Sequence, residues 1–192
     1  MSPEKNLEGK VIVIVAPSGS GKTTIANMLL DDFDEVKFST SATTRIPRMG
    51  EKDGREYFFL SNSAFDELVN EGGFLEWEQY SGNRYGTLRS EVDKLVESGY
   101  FPLLDIEVKG ALNIKEVYGS DSISIFIKPP SLEELRRRLE NRESETRVQL
   151  ETRLSKAREE LEYADEFDYV VVNDDLAEAY GQVKKIITNF IR

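Results

Sequence analysis

"VIVIVAPSGSGKTTIANMLL", Val11 to Leu30, sets a strand, a loop and a helix in immediate succession. Val11–Val15 is an unbroken β-branched run, the pattern of a strand buried on both faces. Ile25, Met28 and Leu29 then recur at helical spacing. Between them, Gly19 and Gly21 permit backbone angles that turn successive N–H groups toward one point. The helix expected near Lys22 adds its positive end. Pro17, Ser18, Gly19, Ser20, Gly21, Lys22, Thr23 and Thr24 therefore read as a phosphate-binding loop. Lys22 would supply a point charge for the β- and γ-phosphates, and Thr23 a hydroxyl ligand for Mg2+. Ala16 stands where the pattern G-x-x-x-x-G-K-[ST] opens with glycine. At a strand end negative φ is natural, so a Cβ there is expected to cost little, and Pro17 removes an N–H that need not contact phosphate.

Outward from the loop, strands and helices alternate. Phe65, Leu68 and Val69 mark a helix stopped by Gly72-Gly73, and Val92, Leu95 and Val96 mark another ended by Gly99. "YFPLLDIE" (Tyr100–Glu107) and "SISIFI" (Ser122–Ile127) read as buried strands. Ser131 and Glu134 form a capping box ahead of Leu135 and Leu139. A charged helix runs from about Thr146 to Ala164, and "YVVVN" (Tyr169–Asn173) reads as a last core strand before a terminal helix. This alternation predicts an α/β fold with a parallel sheet core flanked by helices. From Phe38 to about Arg89 the rhythm breaks. That stretch, rich in aromatics, arginine and hydroxyls, reads as an antiparallel insertion. The block "RRRLENRESETR" (Arg136–Arg147) has few core-quality residues and is expected to project into solvent.

Composition narrows the chemistry. The 192 residues suffice for one domain with a sizeable core. There is no cysteine and no histidine, which removes thiol nucleophiles, the usual zinc sites and imidazole acid–base catalysis. The net charge of -11 disfavours nucleic acid and anionic membranes as partners, so basic residues that meet an anion must be focused in a cleft. No apolar run approaches the roughly 20 residues that span a bilayer. The opening "MSPEKNLEGK" lacks a signal-peptide core, and a cytoplasmic location is expected. The oligomeric state stays open, a homo-oligomer included.

Two further groups of residues point to what receives the phosphate. Asp105, at the carboxyl end of its strand, is the candidate carboxylate for Mg2+; the alternative is a strand-end residue capping the next turn. Arg45 and Arg48 flank Pro47 on a constrained turn, where two guanidinium forks suit a phosphate dianion, and Tyr57 can add a hydroxyl. Glu76 lies among apolar and aromatic neighbours and should have a partner if buried. One carboxylate can accept both N1–H and the N2 amine of guanine, while a hydroxyl such as Ser41 or Thr87 serves O6. Adenine cannot match that pattern. Taken alone, a residue such as Glu76 is more often an ordinary strand carboxylate.

"APSGSGKTT", "SATTRIPRMGEKDGREYFF", "FLEWEQYSGNRYGT", "LLDIEVKG", "RLENR" and "VVVNDDL" stand in the order seen in guanylate kinases, and from about Gly9 to the C-terminus the chain resembles that family of P-loop nucleoside monophosphate kinases. The resemblance implies a P-loop NTPase fold in a single guanylate-kinase domain, 1–192. Its core would be 9–38, 90–135 and 154–192, with a mixed or antiparallel GMP-binding insertion at 39–89 and a helical lid at 136–153. It further implies ATP as phosphoryl donor with Mg2+ on Thr23 and Asp105, and GMP or dGMP as acceptor. The GMP phosphate would meet Arg45, Arg48, Tyr57 and Tyr85. The base would meet Ser41, Glu76 and Thr87, with Glu107 near its edge, and Gly86 and Asp105 would also bind the substrate. Arg142 would come from the lid and Arg153 from the following helix, with Arg138 and Asn173 on the adenine side. Lys22, Arg45, Arg142, Arg153 and Asp105 would carry catalysis. Besides Ala16, two departures stand out: the family's D-I-D-x-Q-G motif here reads Asp105-Ile106-Glu107-Val108-Lys109-Gly110, and Glu143 stands where glycine usually follows the lid arginine. The rival readings are a catalytically silent guanylate-kinase-like interaction domain and a P-loop kinase for another small phosphate acceptor.

Overall fold

In the computed structural model, which describes residues 10–80, 82–141 and 147–192, two sheets organise the chain. Strands β1 (Val11–Val15), β2 (Val36–Phe38), β7 (Phe101–Asp105), β8 (Ser122–Lys128) and β9 (Tyr169–Val172) form a five-stranded parallel sheet in the order β2-β7-β1-β8-β9. Every residue of β1 is buried, as expected for the central strand of a doubly covered sheet. Helices α1 (Lys22–Asp32) and α7 (Leu176–Ile191) cover one face, where Ile12, Ile14, Ile125 and Ile127 meet Leu29, Val183 and Ile187. Helices α3 (Arg89–Glu97) and α4 (Val108–Tyr118) cover the other, where Val11, Val13, Val15 and Phe126 meet Val92, Ala111 and Ile114. The period-2 alternation of β1 thus feeds two cores from one strand.

The smaller sheet contains β3 (Ala42–Thr43), β4 (Phe58–Phe59), β5 (Phe74–Tyr80) and β6 (Asn83–Leu88) in the order β4-β3-β6-β5. It is mixed: β3 pairs antiparallel with β6 but parallel with β4. The turn-rich segment between β3 and β4 returns the chain in the same direction, which a reading as a purely antiparallel insertion misses. Helix α2 (Asn62–Asn70) lays Phe65 against Phe74, their ring centroids 4.4 Å apart.

Three sequence expectations are corrected. The strand "YVVVN" is an edge strand: Val171 is buried, but Tyr169, Val170 and Val172 are exposed. The block 136–147 does not all project: Arg136–Glu140 complete α5 (Leu132–Glu140), and Leu139, one turn after Leu135, is buried against Leu150, Leu154 and Ala157 of α6 (Arg147–Leu161). Leucines at i and i+4 turn inward, while Arg137 between them and Glu140 after them face out. The capping box is half made. Ser131 Oγ accepts from Glu134 N at 3.1 Å, but the Glu134 carboxylate is taken by Arg137 and Arg138. Among the described residues, no helix is long and apolar enough to cross a membrane.

Candidate active site

The stretch that follows β1 bends around two glycines. Gly19 and Gly21 have φ of 94° and 93°, values that side-chain-bearing residues rarely adopt. Ser20 N donates to Pro17 O at 3.0 Å, closing the turn, and α1 begins at Lys22. Pro17, Ser18, Gly19, Gly21, Lys22, Thr23 and Thr24 line a cleft of about 330 Å³. Ala16 sits at its rim, half-buried and packed on the core. Ser20 does not line the cleft; it is fully buried, and its carbonyl accepts from the Asn173 side-chain amide at 2.8 Å.

A second cleft, of about 240 Å³, opens between the two sheets. The insertion contributes Ser41, Tyr57, Glu76, Tyr85 and Gly86 to it. Lys22, Asp105 and Glu107 line both clefts. Sheet register explains why they meet: Ile14 of β1 lies opposite Asp105 of β7, so the carboxyl ends of both strands finish at the loop.

At this junction charges are tightly paired. Lys22 Nζ forms an ion pair with Asp105. Burial pulls the Lys22 ammonium down, but Asp105, with Glu107 and Glu160 behind it, outweighs that and holds it above its ordinary value. Glu107 precedes α4, and Lys156 Nζ donates to it at 2.6 Å and lies 3.4 Å from Glu160. Burial would raise the Glu107 carboxyl; the Lys156 bond and the charge of Lys22 overcome it and hold it low. Glu160 behaves oppositely, pushed up to about 7 by burial and by the neighbouring Glu107 carboxylate. Arg153 reaches the phosphate loop from the same helix, its guanidinium 3.5 Å from Ser18 Oγ.

In the insertion, Glu76 is buried at 8% exposure, and Thr87 Oγ1 donates to its Oε1 at 2.6 Å. Burial raises its carboxyl above the ordinary range, against the pull of Thr87. Thr87 is fully buried and does not line the cleft; its hydroxyl is committed to Glu76, which differs from the expectation that it serves a base directly. Arg45 is gripped by Glu51 through two bonds of 3.0 and 2.9 Å and lies over Tyr57, its guanidinium carbon 5.5 Å from the ring centroid. Arg48 is exposed on the turn, where its backbone N–H donates to Glu51 Oε2 at 2.7 Å. Neither arginine lines the cleft between the sheets.

The residues expected on the adenine side also sit differently. Arg138 donates to Glu134 at 2.9 Å and approaches the Asp174 carbonyl at 3.5 Å, outside the loop cleft. Asn173 is buried beneath the loop rather than in the cleft. Arg142 and Glu143 lie outside the described residues. Sequence reasoning missed Lys156 and Glu160, although Arg153, Lys156 and Glu160 stand at i, i+3 and i+7, one face of a helix. It also missed Glu51, which carries no signal of its own beyond lying three residues after Arg48.

Known proteins resemble this chain throughout. The guanylate kinase family model matches residues 8–190. A guanylate kinase of Chlorobium chlorochromatii is 48% identical over 183 residues, covering 95% of this chain and 96% of that one. A guanylate kinase of Chlorobaculum tepidum is 46% identical over 192 residues, covering 100% and 98%. The crystal structure of guanylate kinase from Anaplasma phagocytophilum superposes with a TM-score of 0.76 at 34% identity, covering 94% of this chain and 85% of that one. With its phosphate loop and its inter-sheet cleft joined at Lys22, Asp105 and Glu107, the chain belongs to the guanylate kinase family.

Proposed function

We propose that this protein transfers the γ-phosphoryl group of MgATP to GMP, and to dGMP, giving ADP and GDP or dGDP. The observation that carries the reading is that a phosphate-loop cleft and a second cleft with a buried carboxylate share Lys22, Asp105 and Glu107. A donor phosphate in one and an acceptor phosphate in the other would face each other across Lys22.

In this reading the backbone amides of Ser18, Gly19, Gly21, Lys22, Thr23 and Thr24 cradle the ATP phosphates, and Lys22 stabilises charge on the transferring group. Thr23 and Asp105 line the same cleft and offer a hydroxyl and a carboxylate oxygen. That set fits a hard cation that keeps several waters and binds through one carboxylate plus substrate phosphates. Bound there, Mg2+ would neutralise charge on the phosphate oxygens. Arg153, already beside Ser18, joins Lys22, and Arg142 is assigned to the same task from the lid (136–153). Arg45, oriented by Glu51, and Tyr57 and Tyr85 take the GMP phosphate; Arg48 joins from the turn. Glu76 accepts N1–H and the N2 amine of guanine, Ser41 serves O6, and Thr87 orients Glu76 from behind.

The acceptor monoester, with a second pKa of about 6, is largely dianionic at neutral pH. Its oxygen needs no strong base, which agrees with a chain lacking histidine. Catalysis is then positioning and charge neutralisation. The test is ADP release from MgATP with GMP, dGMP, AMP, CMP and UMP in turn. Turnover confined to GMP and dGMP is expected. ATP binding without turnover on any monophosphate overturns the reading in favour of a silent module or a kinase for another acceptor.

A further inference from the structure

Gly110 is the third residue of α4 and is buried. A Cβ built on it would fall against the Oε2 of Glu76, 2.7 Å from Cδ and 3.1 Å from Cγ; its three nearest atoms all belong to Glu76. The other carboxylate oxygen, Oε1, is fixed by Thr87 at 2.6 Å. Glu76 is therefore clamped between a hydroxyl on one side and a bare helix backbone on the other. We infer that Gly110 is a specificity-determining positioning residue: by lacking a side chain it leaves the space in which the Glu76 carboxylate must lie to read a guanine edge. This rests on the proposed role of Glu76 as base reader.

Two facts separate this from ordinary helix packing. Glycine inside a helix is unfavourable relative to alanine, so Gly110→Ala would otherwise be expected to help α4. The atoms in the way are also the far end of one side chain rather than backbone. The fold can absorb the methyl by moving Glu76, and what moves is the group that meets the base. Displacement breaks the Thr87 bond or swings the carboxylate from the cleft, and guanine's paired donors lose their acceptor.

The experiment compares wild type, Glu76→Ala, Gly110→Ala and the double variant in GMP and AMP titrations at saturating MgATP, with thermal melts of each. For Gly110→Ala we expect GMP KM to rise about tenfold or more, the scale of a lost hydrogen bond to a charged group. ATP KM and the melting midpoint should stay near wild type. In the Glu76→Ala background, Gly110→Ala should change GMP KM less than about twofold, since coupled residues are not additive. If Glu76→Ala weakens GMP but Gly110→Ala does not, the inference is overturned and the reading of Glu76 stands. If Gly110→Ala is equally harmful in both backgrounds, it acts elsewhere and the inference is again overturned. Unchanged base selectivity in Glu76→Ala overturns the reading beneath it. Should Gly110→Ala alone fail to fold, the double variant, freed of the clash, must fold; its failure also overturns the inference.

Discussion

The side-chain amide of Asn173 donates to the backbone carbonyl of Ser20 at 2.8 Å, tying the end of β9 to the middle of the phosphate loop. The two residues are 153 positions apart, and both are buried. The bond holds the loop from below, where neither cleft extends. Gly21, next along, accommodates it: a Cβ there would collide with the Asn173 amide. The loop's shape is thus imposed by the last strand of the sheet as well as by its own glycines.

Asn173→Ala is expected to strand the Ser20 carbonyl in a buried setting, at a cost of about 1–3 kcal/mol. The melting midpoint should fall by several degrees, and ATP KM should rise more than GMP KM. Melts and steady-state kinetics check this. A variant with a lower midpoint but unchanged ATP KM would make the contact purely structural.

Glu51 grips Arg45 with both carboxylate oxygens and also caps the Arg48 N–H. Its own carboxyl is held low by Arg45 first and the Arg48 amide second. Glu51→Ala should therefore loosen a preset guanidinium rather than free it for phosphate. GMP KM is expected to rise about three- to tenfold, the range for a modest charge-assisted contact, with ATP KM unchanged. A GMP KM lower than wild type would mean that Glu51 competes with the acceptor phosphate instead.

How far the sequence foretold this site follows the range of the interactions. β1, the loop and α1 were legible from Val11–Leu30 because period, glycine placement and charge all lie within twenty residues of sequence. β2, β3 and β4, two or three residues each, are too short to show a period. β9 reads as a core strand from its valines, yet it has a neighbour on one side only; composition does not reveal an edge. Glu76 was visible as a polar residue in an apolar setting, but that Thr87 stands behind it depends on β5–β6 register, with Glu76 opposite Thr87. The Asn173–Ser20 bond, spanning most of the chain, left no local trace.

Lys22→Ala should lower kcat by about two to three orders of magnitude, the effect of removing one preorganised charge from a transition state. Asp105 would then stand near Glu107 without its ion-pair partner, so a small fall in melting midpoint is expected too. Nucleotide binding measured by calorimetry should persist. Near-normal turnover would remove Lys22 from the chemistry.

Glu160 makes the stability of the junction depend on pH. Burial and then the Glu107 carboxylate push its carboxyl up to about 7, from an ordinary 4.5. Protonated, it donates to Glu107, which is one cause of that residue's low value. The folded protein therefore holds a proton at Glu160 that the unfolded chain releases near 4.5. Between those values unfolding releases a proton, so this group's contribution to stability falls as pH rises, and levels off above about 7. Glu107 is shifted the other way, and its contribution is lost only below 4.5, outside this window. At higher pH the charge on Glu160 is partly offset by Lys156 at 3.4 Å. Glu160→Gln keeps the shape and a donor toward Glu107 without titrating. Its melting midpoint should match wild type near pH 5 and exceed it at pH 8, with a flatter profile between. Parallel profiles for the two proteins across that range would show that Glu160 is already ionised in the folded state at pH 5.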